Sequence, residues 1–143
     1  MSIRFVAFVL LPIVVAAFSV NSTNAMEGEL RLYKEPSFKR LRLLVKISER
    51  NLCYDMACDG VGNVISSARW TGLPTTGSAF TDGHVKIAFY DGKNCTGKAT
   101  VLNTNVGEIS NFAQSGMDNA TTSIAVLETS NKMQHATKNL CQW

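Results

Sequence analysis

The sequence predicts an all-β fold, and three observations support this prediction. No stretch carries a sustained apolar repeat at 3.6 residues, the periodicity of an amphipathic helix. Short segments instead alternate apolar and polar residues, as half-buried strands do. Residues 62–67 (GNVISS) resemble residues 118–123 (DNATTS), 56 positions later. Each hexapeptide indicates a polar loop that leads into a strand beginning with Ser. Such self-similarity predicts two copies of one supersecondary unit.

The first 25 residues are expected to form a secretory signal peptide. Arg4 supplies the positive start, residues 5–20 are almost uninterruptedly apolar, and residues 23–25 offer a small-residue cleavage site. A transmembrane anchor is the alternative, but this run of 16 residues is shorter than the roughly 20 that cross a bilayer. The sequence therefore predicts a secreted, extracellular protein with no membrane contact after cleavage.

Charge excludes some partners of the mature chain. Its 118 residues carry thirteen Lys and Arg against eleven Asp and Glu, a balance that does not favour nucleic acid. Six of the basic residues lie between Lys34 and Arg50, interleaved with leucines. A solvated strand face is the favoured interpretation of this run, and a partner-binding patch is the alternative.

Four cysteines lie in the mature chain: Cys53, Cys58, Cys95 and Cys141. An even number in a short secreted chain predicts two disulfides. Three pairings are open. The spacing weakly favours Cys53–Cys58, which would close a small loop, with Cys95–Cys141, which would tie the tail to the domain.

The alternating pattern predicts eight strands, four in each copy. They cover residues 28–33, 38–47, 52–56 and 66–70 in the first copy, and 85–90, 98–102, 107–112 and 123–127 in the second. Pro36 fits the first turn because it has no amide proton to donate, and Asp91-Gly92 is a hairpin signal. Residues after 128 form a polar tail, expected to be ordered only if Cys141 is bridged.

Two hairpin sequences and the two loops together resemble the βγ-crystallin family. Residues 33–38 (YKEPSF) and 90–97 (YDGKNCTG) are similar to its aromatic-x4-aromatic-x-Gly hairpins. Residues 118–123 are similar to its calcium loop, Asn/Asp-Asn/Asp-x-x-Ser/Thr-Ser, and residues 62–67 match five of the six positions. The resemblance spans residues 28–128 and implies two Greek key motifs that form one βγ-crystallin-like β-sandwich.

The resemblance also implies a division of the chain, from which three residues depart. The domain would cover residues 26–128, with one Greek key at about 28–71, a linker at 72–83, a second Greek key at about 84–128 and a tail at 129–143. Arg40 stands where the first hairpin has Gly, which implies a strained or altered turn. Cys95 replaces an aromatic residue of the second hairpin, and Gly62 replaces the first amide or carboxylate of a calcium loop.

The resemblance implies calcium sites built crosswise, each joining the loop of one copy to the hairpin and loop of the other. The candidate ligands are Asp118, Asn119 and Thr122 in one loop, and Asn63 and Ser66 in the other. Only Asp118 is charged, so the expected dissociation constant is about 10⁻⁴ to 10⁻³ M, which suits extracellular calcium. Alternatively, these side chains satisfy backbone groups without a metal. Ser67 and Ser123 are expected to hold each loop to a hairpin.

Two glycosylation sequons and one tryptophan are further candidates. Asn94 and Asn119 each begin an Asn-x-Thr sequence. A glycan on Asn119 would crowd the calcium loop, so the two predictions compete there. Trp70 is in phase with Val126 of the other copy and is expected in the core rather than on a binding surface.

No catalytic arrangement is evident. The chain has no Gly-x-Ser-x-Gly elbow and no phosphate loop, and His84 and His135 have no evident acid or nucleophile partner. Zinc is disfavoured because there is no Cys-x-x-Cys. We therefore expect no enzyme, but a monomeric structural protein that binds calcium weakly. The alternative is a secreted toxin, inhibitor or host-directed effector that binds an extracellular protein or surface partner.

Overall fold

The structure is a computed structural model that describes residues 26–58, 60–133 and 137–141. The predicted signal peptide and His135 lie outside these residues. The strands are β1 (Gly28–Glu35), β2 (Lys39–Ile47), β3 (Cys53–Asp55), β4 (Ser67–Thr71), β5 (Lys86–Tyr90), β6 (Ala99–Asn103), β7 (Glu108–Ile109), β8 (Ser123–Leu127) and β9 (Thr137–Asn139). Short 3₁₀ helices cover Lys93–Cys95, Thr104–Val106 and Phe112–Ser115. The predicted all-β class is confirmed.

The strands form two sheets that pack as a sandwich. Sheet one has the order β2-β1-β4-β7 and sheet two the order β6-β5-β8-β3-β9. All pairs are antiparallel except β3 with β9. The third strand of each copy leaves its own sheet and joins the other, β3 in sheet two and β7 in sheet one. This exchange gives the Greek key arrangement and interlocks the two copies.

The two copies, here called the first unit and the second unit, repeat the same backbone conformation. In sheet one Leu30 pairs with Trp70, and in sheet two Ile87 pairs with Val126, 57 and 56 positions later. Positive φ angles recur at the same spacing. The matched positions are Ser37 and Asn94, Phe38 and Cys95, Arg40 and Gly97, Asn51 and Gly107, Gly60 and Gly116, and Asn63 and Asn119. Since positive φ is uncommon outside glycine, six coincidences show the same unit folded twice.

A serine at the start of the fourth strand holds each hairpin. The Ser67 hydroxyl donates to the Glu35 carbonyl (2.6 Å) and accepts the Phe38 amide proton (3.1 Å). The Ser123 hydroxyl makes the equivalent contacts with the Gly92 carbonyl (2.6 Å) and the Cys95 amide (2.9 Å). Both serines are fully buried. We call these two sets of contacts the serine clamps, and they confirm the predicted role of both residues.

The core lies between the sheets and is built from the inward residues of both units. Phe89 contacts Phe112 edge to face, with ring centroids 4.9 Å apart, and Trp70 lies beside Phe89. Trp70 is buried and its indole nitrogen donates to the Thr104 carbonyl at 2.6 Å. The prediction that Trp70 belongs to the core is therefore confirmed.

Two disulfides are present, but the favoured pairing was wrong. Cys53 is bonded to Cys95, and Cys58 to Cys141. β3 carries the chain away from Cys53 in an extended conformation, so the small loop to Cys58 does not form. The exchange of third strands instead places Cys53 in sheet two, under the hairpin that carries Cys95. One disulfide therefore links the two units, and the other ties the tail to the first unit.

Cys141 is bridged, and the described part of the tail is ordered as expected for that case, with one strand that its polar sequence does not predict. β9 pairs in parallel with β3, and the Leu140 amide donates to the Asp55 carbonyl at 2.8 Å. Buried Asn51 donates its side-chain amide to the Ser130 and Lys132 carbonyls at 2.6 and 3.1 Å. These contacts anchor the start of the tail.

The third strand of the second unit is shorter than expected. The predicted strand at 107–112 shortens to β7, which is followed by a 3₁₀ helix.

Replacing Arg40 with glycine is expected to stabilise the protein. Arg40 has φ 58°, where a Cβ atom costs about 1 kcal/mol, and its ion pair with Glu35 is exposed and contributes little. We expect Arg40→Gly to raise the free energy of unfolding by about 0.5–1 kcal/mol in a urea titration. The control Lys39→Gly, at a neighbouring strand position without positive φ, should lower it; equal effects of the two variants would refute strain at Arg40.

Removing one serine clamp is expected to destabilise the fold. Ser67→Ala leaves the Phe38 amide and the Glu35 carbonyl without their side-chain partner, at a cost of about 1–3 kcal/mol in the free energy of unfolding. Thermal and urea unfolding measure this change. Ser110→Ala, at an exposed serine, is the control and should stay within about 0.5 kcal/mol of the parent protein. A clamp variant as stable as the control would contradict the assigned role.

Candidate functional site

The two polar loops meet across the pseudo-twofold axis, each held by the backbone of the other. The Asn63 amide donates to the Thr121 carbonyl at 3.2 Å, and the Asn119 amide donates to the Ile65 carbonyl at 3.0 Å. Asn63 and Asn119 have φ of 60° and 52°, a left-handed conformation that asparagine tolerates better than most residues. The backbone therefore presents one asparagine side chain from each loop to the other loop.

The first crossed pair consists of Ser66 from the first unit and Asn119 from the second, beside Asp118. Ser66 Oγ lies 3.5 Å from Asn119 Oδ1, and Asn119 Nδ2 donates to Asp118 Oδ2 at 3.2 Å. Ser66 is buried, whereas Asp118 and Asn119 are exposed. The Ser66 amide donates to the Tyr33 carbonyl at 2.9 Å, which brings the first hairpin to the same place. Three oxygen-bearing side chains thus gather here, one of them a carboxylate.

The second crossed pair consists of Thr122 and Asn63, beside Gly62. Thr122 Oγ1 donates to Asn63 Oδ1 at 3.0 Å. No carboxylate of the described residues accompanies this pair, since Gly62 stands where the other loop has Asp118. The pair lines a cleft of about 320 Å³ together with Lys93, a cation. A Cβ atom at Gly62 would lie 3.0 Å from the Met56 carbonyl oxygen, so the backbone is closely packed at the position of the missing ligand.

The donor atoms of the two pairs differ in their fit to calcium. Calcium prefers six to eight oxygen ligands, with carboxylates, carbonyls and water supplying them. The first crossed pair offers a carboxylate, an amide oxygen and a hydroxyl, and the first hairpin lies beside them. The second offers no carboxylate among the described residues and has Lys93 in the same cleft. The described residues therefore fit calcium at the first crossed pair and do not fit it at the second.

One carboxylate outside the crossed pairs was missed by sequence reasoning. Asp55 is nearly buried, and its two oxygens accept the Ala57 amide at 2.8 Å and the Asn94 amide at 2.6 Å. The second contact fastens the second hairpin to β3. Asn111 accepts the Ala113 amide at the equivalent position of the second unit, 2.9 Å away. Only the repeat spacing of 56 residues between Asp55 and Asn111 signals this role in the sequence.

Thr121 occupies a core position in place of an apolar side chain. It is fully buried, and its Oγ1 has no hydrogen-bond partner. Its counterpart in the first unit is Ile65, which is also fully buried. Thr121 therefore faces the sandwich interior rather than the first crossed pair, and it adds no ligand there.

The two sequon asparagines are both exposed. Asn94 lies in the second hairpin and uses only its backbone amide in the contact with Asp55. Asn119 belongs to the first crossed pair, and the nitrogen that would carry a sugar is the one that contacts Asp118. A glycan at Asn119 and calcium at Asp118 therefore remain competing predictions, whereas a glycan at Asn94 competes with neither loop.

Other kinds of site are not evident in the described part of the chain. No group of three or more His, Cys, Asp and Glu residues gathers there to hold a metal ion. Nor does any helix in it have the length and apolar character needed to cross a membrane. Burial raises the pKa of the Tyr90 phenol above its ordinary value, because this side chain packs on the outer face of sheet two. The expectation that the protein is not an enzyme stays a prediction.

No protein-family model matches the chain, and no curated protein does. Solved βγ-crystallin domains are similar to it in structure. A domain from Flavobacterium johnsoniae is 19% identical, with 69% of this chain and 93% of that one covered and a TM-score of 0.46. One from an archaeon is 22% identical, covering 69% and 96%, with a TM-score of 0.44. One from Ciona intestinalis is 16% identical, covering 68% and 96%, with a TM-score of 0.45.

These similarities concern the fold alone. The two-unit architecture is shown by the protein's own geometry, through the paired positive φ angles and the serine clamps. The chain is thus an all-β sandwich of two Greek key units.

Proposed function

We propose that this protein is a secreted, disulfide-stabilised domain that binds a single calcium ion weakly at Asp118, Asn119 and Ser66. The observation that supports the proposal most is the first crossed pair, in which side-chain oxygens of both units converge beside an exposed carboxylate. A cation there would offset the negative charge of Asp118 and join the second unit's loop to the first unit. Its role is to stabilise the sandwich.

The proposed affinity and number of ions follow from the ligands. One carboxylate is few for calcium, so the dissociation constant falls at about 10⁻⁴ to 10⁻³ M, within the range of extracellular calcium modules. The second crossed pair has no carboxylate among the described residues and shares its cleft with Lys93, so the proposal places no ion there. Two disulfides hold the fold in the absence of calcium, since cross-links over 42 and 83 residues each contribute roughly 3–5 kcal/mol in chain-entropy terms.

Millimolar calcium is expected to raise the melting temperature of the mature protein. A ligand that binds only the folded state stabilises it by mass action, and 10 mM calcium at the proposed affinity corresponds to roughly 5–10 °C. Differential scanning calorimetry with calcium, magnesium and EDTA measures the shift. Asp118→Asn, which keeps the side-chain shape and removes the charge, should abolish it.

Two matched variants separate this site from general charge effects. Glu49→Gln removes an exposed carboxylate elsewhere, and Lys93→Ala alters the second crossed pair. Both should keep the calcium shift of the parent protein. The proposal is wrong if calcium leaves the parent's melting temperature unchanged, or if Asp118→Asn responds to calcium as Glu49→Gln does.

Secretion is proposed from the positive start, the apolar run at residues 5–20 and the small residues that follow. Expression of the full chain with its own N-terminus, followed by mass spectrometry of the medium, tests it. The expected product begins near Met26 and contains no free thiol. Retention of residues 1–25 on a membrane-bound product would refute cleavage.

Extracellular protein binding, as by a toxin, inhibitor or effector, is a second candidate function. The observation that favours it is the outer face of sheet one, where Leu41 and Leu44 remain 55% and 43% exposed among basic residues. Calcium binding and partner binding use different parts of the molecule, so either function can hold without the other.

A further inference from the structure

The outer faces of the two sheets differ in what covers them. On sheet two, Ala88, Ala125 and Leu127 are buried beneath Phe80 of the connection and Met133 of the tail. On sheet one, no described segment covers the side chains in the same way. Leu41 and Leu44 of β2 are 55% and 43% exposed, and they stand opposite Tyr33 and Arg31 of β1. Sheet one therefore presents an open face with two exposed leucines.

Aromatic and cationic side chains extend this open face. Phe38 contacts Tyr33 edge to face at 5.8 Å between ring centroids, and the Arg69 guanidinium lies 3.6 Å above the Phe38 ring. Arg69 is also paired with Glu108 at 2.9 Å. We call β2 and this adjoining surface the β2 face. The Phe38 ring is held between Tyr33 and Arg69, so a partner would meet this part of the β2 face preformed.

Positive charge is concentrated on the strands of sheet one. They hold seven Lys and Arg but only three Asp and Glu, whereas the rest of the mature chain has six basic and eight acidic residues. Glu29 is held between Lys46 at 2.6 Å and Arg31 at 2.7 Å, and the Lys46 hydrogen bond lowers the pKa of this carboxyl. Lys34 and Lys39 are exposed and lack an acidic partner in the described chain.

β2 is also an edge strand, and it is the longest strand of the described residues. It has nine residues and pairs only with β1, so its other edge carries unpaired backbone amides and carbonyls. On an antiparallel edge, alternate residues present these groups outward. An added strand would satisfy them, and its side chains would lie beside Leu41 and Leu44. Strand addition of this kind supplies affinity through the backbone and specificity through alternate side chains.

We propose that the β2 face binds an acidic, extended segment of a partner protein, which adds as a further strand to the free edge of β2. Leu41 and Leu44 receive its apolar side chains, and Lys39, which lies on the same side of β2 as Leu41, faces its carboxylates. The inference rests on the second candidate function, protein binding, and is independent of calcium. Charge complementarity selects the occupant, since opposite charges attract across an interface while like charges exclude the wrong partner. A second copy of β2 is excluded for that reason.

The test uses the mature protein and synthetic peptides of about ten residues. One peptide alternates glutamate with valine, a second alternates lysine with valine, and a third is the glutamate peptide with every second backbone nitrogen methylated on the edge that would face β2. Phosphatidylserine vesicles are the fourth probe. Amide resonances of ¹⁵N-labelled protein and their hydrogen-exchange rates report binding. We expect the glutamate peptide alone to shift the β2 resonances and to slow exchange of the outward β2 amides.

Matched variants separate charge and apolar contact. Lys39→Glu should weaken binding of the glutamate peptide about tenfold, because the charge is reversed beside Leu41 and Lys39 gives up no ion pair in the process. Leu44→Ser should also weaken it. The control reverses one exposed lysine elsewhere, Lys98→Glu, and should stay within about twofold. All these positions are exposed, and unchanged melting temperatures verify that the fold is retained.

The outcomes distinguish strand addition to β2 from other ways in which the β2 face could bind a partner. Equal binding of the methylated peptide would overturn strand addition while leaving protein binding by the β2 face in place. Shifts caused only by phosphatidylserine vesicles would assign the face to anionic membranes and overturn the proposal. No β2 shift with any probe, or equal weakening by the control variant, would overturn both the acidic segment and the β2 face as a binding surface.

Discussion

The serine clamps fix both hairpins to their sheets, since each buried hydroxyl bonds two backbone groups of its hairpin. A hairpin that folds back over a sheet buries backbone groups, and each unsatisfied buried group costs about 1–3 kcal/mol. Ser67 and Ser123 satisfy one carbonyl and one amide each, at positions where the hairpin backbone takes positive φ. With the hairpins fixed, the neighbouring loop residues Ser66 and Thr122 are held beside the asparagines of the opposite unit. The crossed pairs are thus a consequence of the clamps.

The repeat is symmetric in its backbone and asymmetric in its chemistry. Both units share hairpin, clamp and crossed pair, but the first loop has Gly62 where the second has Asp118. Similarly, Phe38 stacks beneath Arg69 in one hairpin, whereas Cys95 of the other forms a disulfide. The shared geometry therefore carries the carboxylate Asp118 at the first crossed pair and a glycine at the equivalent place of the second. The charges are asymmetric as well, since sheet one is basic and open while sheet two is covered.

Local sequence patterns were sufficient to predict where most strands lie. They were insufficient to predict the disulfides and the contacts that join the strands. The apolar segment Ser123–Leu127 was predicted with its observed bounds because its sequence is strongly β-forming and follows a clear turn. The disulfide partner of Cys53 was mispredicted because it depends on the exchange of third strands, which no local pattern encodes. β9 was missed since Thr137–Asn139 has no apolar alternation and is ordered by pairing with β3. The position of Lys93 at the second crossed pair likewise required the folded hairpin.

Two equivalent loops meet across the pseudo-twofold axis, and calcium is proposed at the first crossed pair alone. A calcium titration of the ¹⁵N-labelled mature protein, followed residue by residue by NMR, distinguishes the two pairs. We expect saturation by one ion, with shifts centred on Ser66, Asp118 and Asn119 and none of comparable size at Asn63 and Thr122. Binding of two ions with equal shifts at both crossed pairs, or no shift at either, would refute the single site.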